Sequence, residues 1–289
     1  MIYFEIPDSP LNRPINIKLI LCMREEPELF REDVSVEAVF GCMYNCIWNG
    51  GCSHVPGEEC SLSSITEMFR TYSLINMPYR ITFSNRRLEE RHLYDVLGNT
   101  IARIGCRDRN AVIVGSDLLQ QYIQSRYPDY EIIQSVSRVP GSVEDINNWL
   151  RNYKMCLPVW MNRNIEELKK IRRPENAIIL ANEFCPVPHC EFSLDHYETI
   201  SRIALYEAEN HYRCHYHDLH EKMEKEGRLP THNILPDDYP LFEELGFHHF
   251  KLTGRAAKPS QIIDTYVMYF AKEESMQTVR NILSHDQVY

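Results

Sequence analysis

Ala177-Ile178-Ile179-Leu180-Ala181, followed at once by Asn182-Glu183-Phe184-Cys185, is the stretch on which the fold turns. Five apolar residues with no polar alternation make a strand covered on both faces, which is the habit of parallel sheets. Similar short apolar runs recur on either side of it. Before it lie Tyr3 to Ile6, Val36 to Phe40, Arg80 to Phe83, Ala111 to Val114, Glu131 to Ile133 and Leu157 to Trp160. After it comes Phe247 to Leu252. Between the runs the period changes to helical. Ile65, Met68, Phe69 and Tyr72 share one face behind an expected capping box at Ser64-Ile65-Thr66-Glu67. Leu88, Leu93, Val96, Leu97, Ile101 and Ile104 form another face, and Ile146, Trp149 and Leu150 follow an expected start near Ser142.

Eight strand–helix alternations predict a single (β/α)₈ TIM-like barrel over residues 1–289, since eight units close naturally at about 250 residues. The competing architecture, an open doubly wound sheet, lacks its Gly-rich phosphate loop after the first strand. Two stretches exceed the minimal unit: the loop from Cys42 to Cys60, and an extended insertion between strands seven and eight, about 185–240. In a barrel both emerge at the C-terminal face, where active sites lie.

The chain is 44% hydrophobic and 25% charged, an ordinary globular balance, and its net charge of −10 argues against general nucleic-acid binding. Lys169-Lys170-Ile171-Arg172-Arg173 reads as a solvated helix end. No apolar run is long enough to span a membrane, and the N-terminus has neither a basic nor an apolar leader region, so a cytoplasmic location is expected. Ten cysteines are many for such a chain, yet a domain this size needs no disulfide scaffold. Buried cysteines serve as small apolar groups, and clustered ones bind metal. Cys22, Cys106 and Cys156 fall in helix or strand patterns and read as core.

Two groups of cysteines remain. Cys42 and Cys46 form a C-x₃-C pair after strand two, but Asn49 stands where a radical-SAM loop needs its third cysteine, and Cys52 and Cys60 do not restore the spacing. Cys185 and Cys190 sit directly after strand seven, separated by a loop that Pro186 and Pro188 stiffen. Cys214 follows, expected on the next helix, within His211-Tyr212-Arg213-Cys214-His215-Tyr216-His217. Thiolates in such places suit iron–sulfur clusters or zinc. His211 and His215, at i and i+4 on that expected helix, could share a metal, but they lack the glutamate of a zincin motif and read rather as a solvated histidine-rich face. Gly115-Ser116-Asp117 is no nucleophile elbow, and His220-Glu221 lacks a second histidine.

Four segments in this order, Glu37 to Gly41, Thr82 to Asn85, Asn182 to Cys185 with Cys190, and Phe250 to Arg255, resemble the collagenase-like peptidase family U32. The resemblance runs from about strand two to the last helix, and Asn182 to Cys190 and Lys251 to Arg255 are its most specific pieces. It implies a barrel with a four-cysteine iron–sulfur site (4Fe-4S) and redox or oxygen-independent hydroxylation chemistry, in some relatives with a partner barrel. Carried onto this sequence, the implied ligand set is Cys46, Cys185, Cys190 and Cys214. Lys251 and Arg255 flank a Gly254 turn after strand eight, and either hold an anionic substrate or pair with Glu183 across the mouth. Asn85 and Asn182 either orient substrate or cap the following turn, and Trp48-Asn49-Gly50-Gly51 is either a lid or a packed turn. Two other readings stand beside the iron–sulfur enzyme: a zinc hydrolase using Cys185, Cys190, Cys214 and His215, and a non-catalytic adaptor barrel.

Overall fold

A computed structural model describes residues 1–43, 45–50, 61–107, 109–209, 212–255 and 257–285. Eight parallel strands, β1 (Ile2–Pro7), β2 (Val34–Gly41), β3 (Tyr79–Phe83), β4 (Ala111–Val114), β5 (Glu131–Gln134), β6 (Lys154–Cys156), β7 (Ala177–Asn182) and β8 (His249–Leu252), pair in sequence order and close into a barrel. Closure is made where β8 returns to β1, with Glu5 opposite Lys251. Around the barrel run α1 (Arg13–Glu25), α2 (Leu62–Leu74), α3 (Val96–Gly105), α4 (Asp117–Arg126), α5 (Val143–Leu150) and α6 (Ile165–Leu168). The β7–β8 connection carries α7 (Ser193–Ala204), α8 (His217–Lys225) and α9 (Tyr239–Glu244), and α10 (Pro259–Phe270) and α11 (Met276–Ser284) follow β8. Among the described residues no helix is long and apolar enough to cross a membrane.

Strand alternation sorts the apolar side chains into two cores. Phe40, Ala111, Ile113, Ile133, Cys156, Ile178 and Leu180 fill the barrel interior. The larger core lies between strands and helices and includes Phe4, Val39, Ile81, Val112, Ile132 and Ile179. The interior is not wholly apolar. Glu5, 1% exposed, accepts from Lys251 Nζ at 3.0 Å and lies 3.6 Å from Arg80 Nε. Arg80 reaches on to Glu131 at 3.3 Å, and Lys154 meets Glu131 at 3.4 Å. Burial alone opposes ionisation of Glu5, but Lys251 and Arg80 outweigh it and hold the carboxyl below its ordinary value.

Three local expectations are corrected. The sixth strand is Lys154–Cys156 rather than Leu157 to Trp160, because Pro158 has no N–H to donate and the chain turns into a 3₁₀ segment at Val159–Met161. The capping box opens α2 three residues earlier than read: Ser61 Oγ accepts from Ser64 N, and Ser64 Oγ accepts from Ser61 N, each at 3.0 Å. The long helix expected over Leu88 to Ile104 is broken at Asp95, whose side chain caps α3 by accepting from Gly98 N, and Val96 is left 81% exposed.

Candidate active site at the barrel mouth

The C-terminal ends of β7 and β8 are stitched together by backbone-directed bonds. Asn182 Oδ1 accepts from Thr253 N at 2.6 Å, and Thr253 Oγ1 donates to the Asn182 carbonyl at 3.0 Å. Asn182 is therefore a fastener. Asn85, fully buried, does the same on the other side: its amide donates to the carbonyls of Ile47 at 2.8 Å and Ser201 at 3.1 Å, and its oxygen accepts from Arg87 N. Together with two ion pairs from Arg86 and Arg87 to Glu198, each at 2.9 Å, these bonds clamp α7 to the end of β3. Trp48 is a packed turn. Its indole N–H donates to the His92 carbonyl at 2.7 Å, its ring meets Phe83 edge-on at 5.1 Å, and Gly98 gives it room. Gly51, like Cys52, Cys60 and His211, lies outside the described residues.

Lys251 and Arg255 are brought together, but not by Glu183. Both cations lie over the Phe40 ring, at 3.6 and 5.5 Å from its centroid. Lys251 is tied to Glu5 below, whereas Arg255 Nη1 donates to Cys42 Sγ at 3.4 Å. The Glu183 carboxylate folds back on its own loop and accepts from the N–H groups of Phe184 and Cys185, at 2.7 and 3.2 Å. Burial raises its pKa against those two bonds. Tyr197 of α7 joins this neighbourhood: burial, then the charges of Glu183, Cys156 and Cys185, push its hydroxyl up, and Arg255 draws it down. Cys156 faces the same space from the barrel interior, raised to about 12 chiefly by burial.

Cys190 and Cys214 lie near enough to Cys185 for their charges to bear on its thiol. Burial raises the Cys185 thiol to about 11, and Glu183, Cys190 and Cys214 add to it. Tyr212 feels all three sulfurs and is itself raised to about 12, first by burial. Cys214 lies in the segment before α8 rather than on a helix, as does His215. Its sulfur accepts from Tyr216 N at 3.4 Å and lies 3.6 Å from His220 Nε2. His215 is turned elsewhere, stacked on Phe192 at 3.8 Å and 3.7 Å from Asp195. Cys46 is placed in the apolar core, 1% exposed, with Met43 and Trp48. The described β2-side thiol that reaches the mouth cations is Cys42. Among the described residues no three His, Cys, Asp or Glu side chains converge to hold a metal ion.

Two residues at this mouth, His220 and Tyr197, were not assigned to it by the sequence reading. His220 sits six residues beyond Cys214, a spacing without a motif, and becomes a neighbour only because α8 begins at His217. Tyr197 lies on an ordinary amphipathic helix that the clamp at Glu198 holds over the mouth. Cys42 and Cys46 could not be ranked until β2 was seen to end at Gly41.

The architecture can now be compared with known proteins. The backbone matches the solved structure of the U32 peptidase Mk0906 with a TM-score of 0.55 at 13% sequence identity, over 88% of this chain and 93% of that one. The fold is U32-like. No protein-family model matches the sequence, and no curated protein does. At this identity the likeness establishes the barrel fold alone, and the chemistry of the mouth rests on this chain's own residues.

Proposed function

We propose that this chain is an iron–sulfur protein whose U32-like barrel presents a thiol-held cluster at its mouth, beside cations that receive an anionic substrate for redox chemistry. What supports the reading is that Cys185 and Cys190, on the loop after β7, and Cys214, before α8, occupy one neighbourhood around Tyr212. The three are soft donors of the kind a thiophilic centre uses, although among the described residues they do not converge on a common point. Cys46, walled into the core, does not fit this set. A bound cluster would supply one-electron transfer at the mouth.

The chain's own residues do the rest. Arg255, aligned over Phe40, presents a planar fork suited to a carboxylate or phosphate. Lys251 is fixed by Glu5 and adds a compact positive charge underneath. Glu183 is held close to Cys185 by accepting from the N–H groups of Phe184 and Cys185, with burial raising its pKa against those bonds. Tyr197 on α7 lies near enough to Glu183, Cys156 and Cys185 for their charges to bear on its hydroxyl.

Oxygen-free purification, with iron and acid-labile sulfide analysis before and after reconstitution, tests the reading. Iron and sulfide in equal amounts, with visible absorption lost in Cys185→Ser, are expected. A colourless protein that takes up no iron overturns it. Zinc at about one per chain, with hydrolysis abolished by chelation, would instead establish a zinc hydrolase, the activity class nearest the peptidase of similar fold.

A further inference from the structure

We propose that the barrel mouth takes a small aliphatic carboxylate, with its charged head toward β8, β2 and β3 and its hydrocarbon toward β4, β6 and β7. The inference rests on the reading of the mouth cations as an anion receptor and names the chemical class they receive.

Burial along single strands locates the floor of the mouth. Ile113 and Leu180 keep 3% and 5% of their surface exposed, whereas Ala111 and Ile178, two residues deeper on the same strands, keep 0% and 1%. The opening therefore reaches the layer of Ile113 and Leu180, together with Phe40, Thr82, Cys156 and Lys251, each between 3% and 8% exposed. That layer is divided between two arcs of the barrel. Ile113 of β4, Cys156 of β6 and Leu180 of β7 offer apolar surface from the interior cluster. On the other arc Lys251 of β8 lies over the Phe40 ring, and Arg255 lies over the same ring and donates to Cys42.

Thr82 supplies an independent observation. It pairs with Ile113 in the β3–β4 register, so its side chain shares the interior face, two residues above Arg80. Its Oγ1 is buried and has no hydrogen-bond partner among the described residues. A hydroxyl in that state costs free energy until an acceptor meets it. One carboxylate oxygen can accept from Thr82 while the Arg255 fork serves the other. Lys251 already shares its charge with Glu5 at 3.0 Å, so the site favours one negative charge over the two of a phosphate. The apolar arc then covers hydrocarbon, whereas the hydroxyls of a sugar would be desolvated there without partners.

The test is isothermal titration calorimetry on the full chain, purified without oxygen, with three probes: isovalerate, 3-methylbutanol (nearly the same hydrocarbon without the charge) and inorganic phosphate. Isovalerate should bind saturably, and the alcohol and phosphate each about tenfold more weakly or worse. Thr82→Val keeps the shape of the side chain and should weaken isovalerate about tenfold, with the urea midpoint unchanged or raised, since no protein hydrogen bond among the described residues is lost. Arg255→Gln should weaken isovalerate as well. An absence of saturable isovalerate binding, equal binding of the alcohol or of phosphate, or full affinity in Thr82→Val overturns the proposal. The heat of carboxylate binding is read independently of iron. A chain that takes up iron but not isovalerate loses this proposal alone, and one that binds isovalerate but no iron loses the cluster alone.

Discussion

Replacing Glu5 by glutamine tests whether the charges inside the barrel are a connected structural unit. Glu5 is 1% exposed and holds Lys251 at 3.0 Å and Arg80 at 3.6 Å. Removing one partner of a buried ion pair costs about 3–5 kcal/mol, because the other charge stays buried without compensation. Here Arg80 keeps Glu131 at 3.3 Å, and Lys251 keeps the face of Phe40 at 3.6 Å. The loss therefore belongs at the lower end, about 3 kcal/mol, or roughly a hundredfold in the folding equilibrium. Urea unfolding at pH 7 measures it as a shifted midpoint at unchanged slope. The pH dependence has a definite sign. The folded pKa of Glu5 is lowered, so its contribution is complete above the ordinary carboxylate value of about 4.3 and is lost as pH falls through the lowered folded value. The gap between wild type and variant must close in acid. The paired variant Glu5→Gln/Lys251→Met should lose less than the sum of the single changes. A loss under about 1 kcal/mol, or a gap that widens in acid, would refute the reasoning.

Gly41→Ala should destabilise the protein by about 1–3 kcal/mol, read by thermal unfolding, because an added Cβ would sit 2.2 Å from the Tyr79 hydroxyl, itself held by Asp8 at 3.1 Å. Asn182→Ala removes the side-chain half of the β7–β8 stitch and leaves Thr253 N without its acceptor, which costs about 1–3 kcal/mol and should speed hydrogen exchange at Thr253. Cys46→Ala and Cys185→Ala should part company: the first lowers stability by a packing cost of about 1 kcal/mol and keeps its iron, while the second loses iron after anaerobic reconstitution. Equal iron loss in both would return Cys46 to the site.

The residues that drew attention to the mouth divide according to how local their signals are. Asn182, Glu183 and Cys185 are legible because they follow an unmistakable strand, and strand ends in a barrel define the mouth. Lys251 and Arg255 are legible for the same reason after β8. Their partners are not. Glu5 belongs to a strand at the other end of the chain, and the pair forms only when β8 closes on β1. His220 depends on where α8 starts, which no cap announces.

By itself, the sequence determined the barrel, because eight short apolar strands alternating with amphipathic helices leave few ways to cover every strand on both faces. It also determined that cysteines crowd the chain near two strand ends. Which cysteines sink into the core, as Cys46 does, and which meet a charged partner, as Cys42 meets Arg255, are matters only the tertiary structure decided. Periodicity reports burial along one element at a time. The reach of Arg255 to Cys42 arises between elements that meet only when the barrel closes, while the turn of Glu183 back onto its loop and the approach of His220 to Cys214 are set by local loop geometry that no periodicity reports.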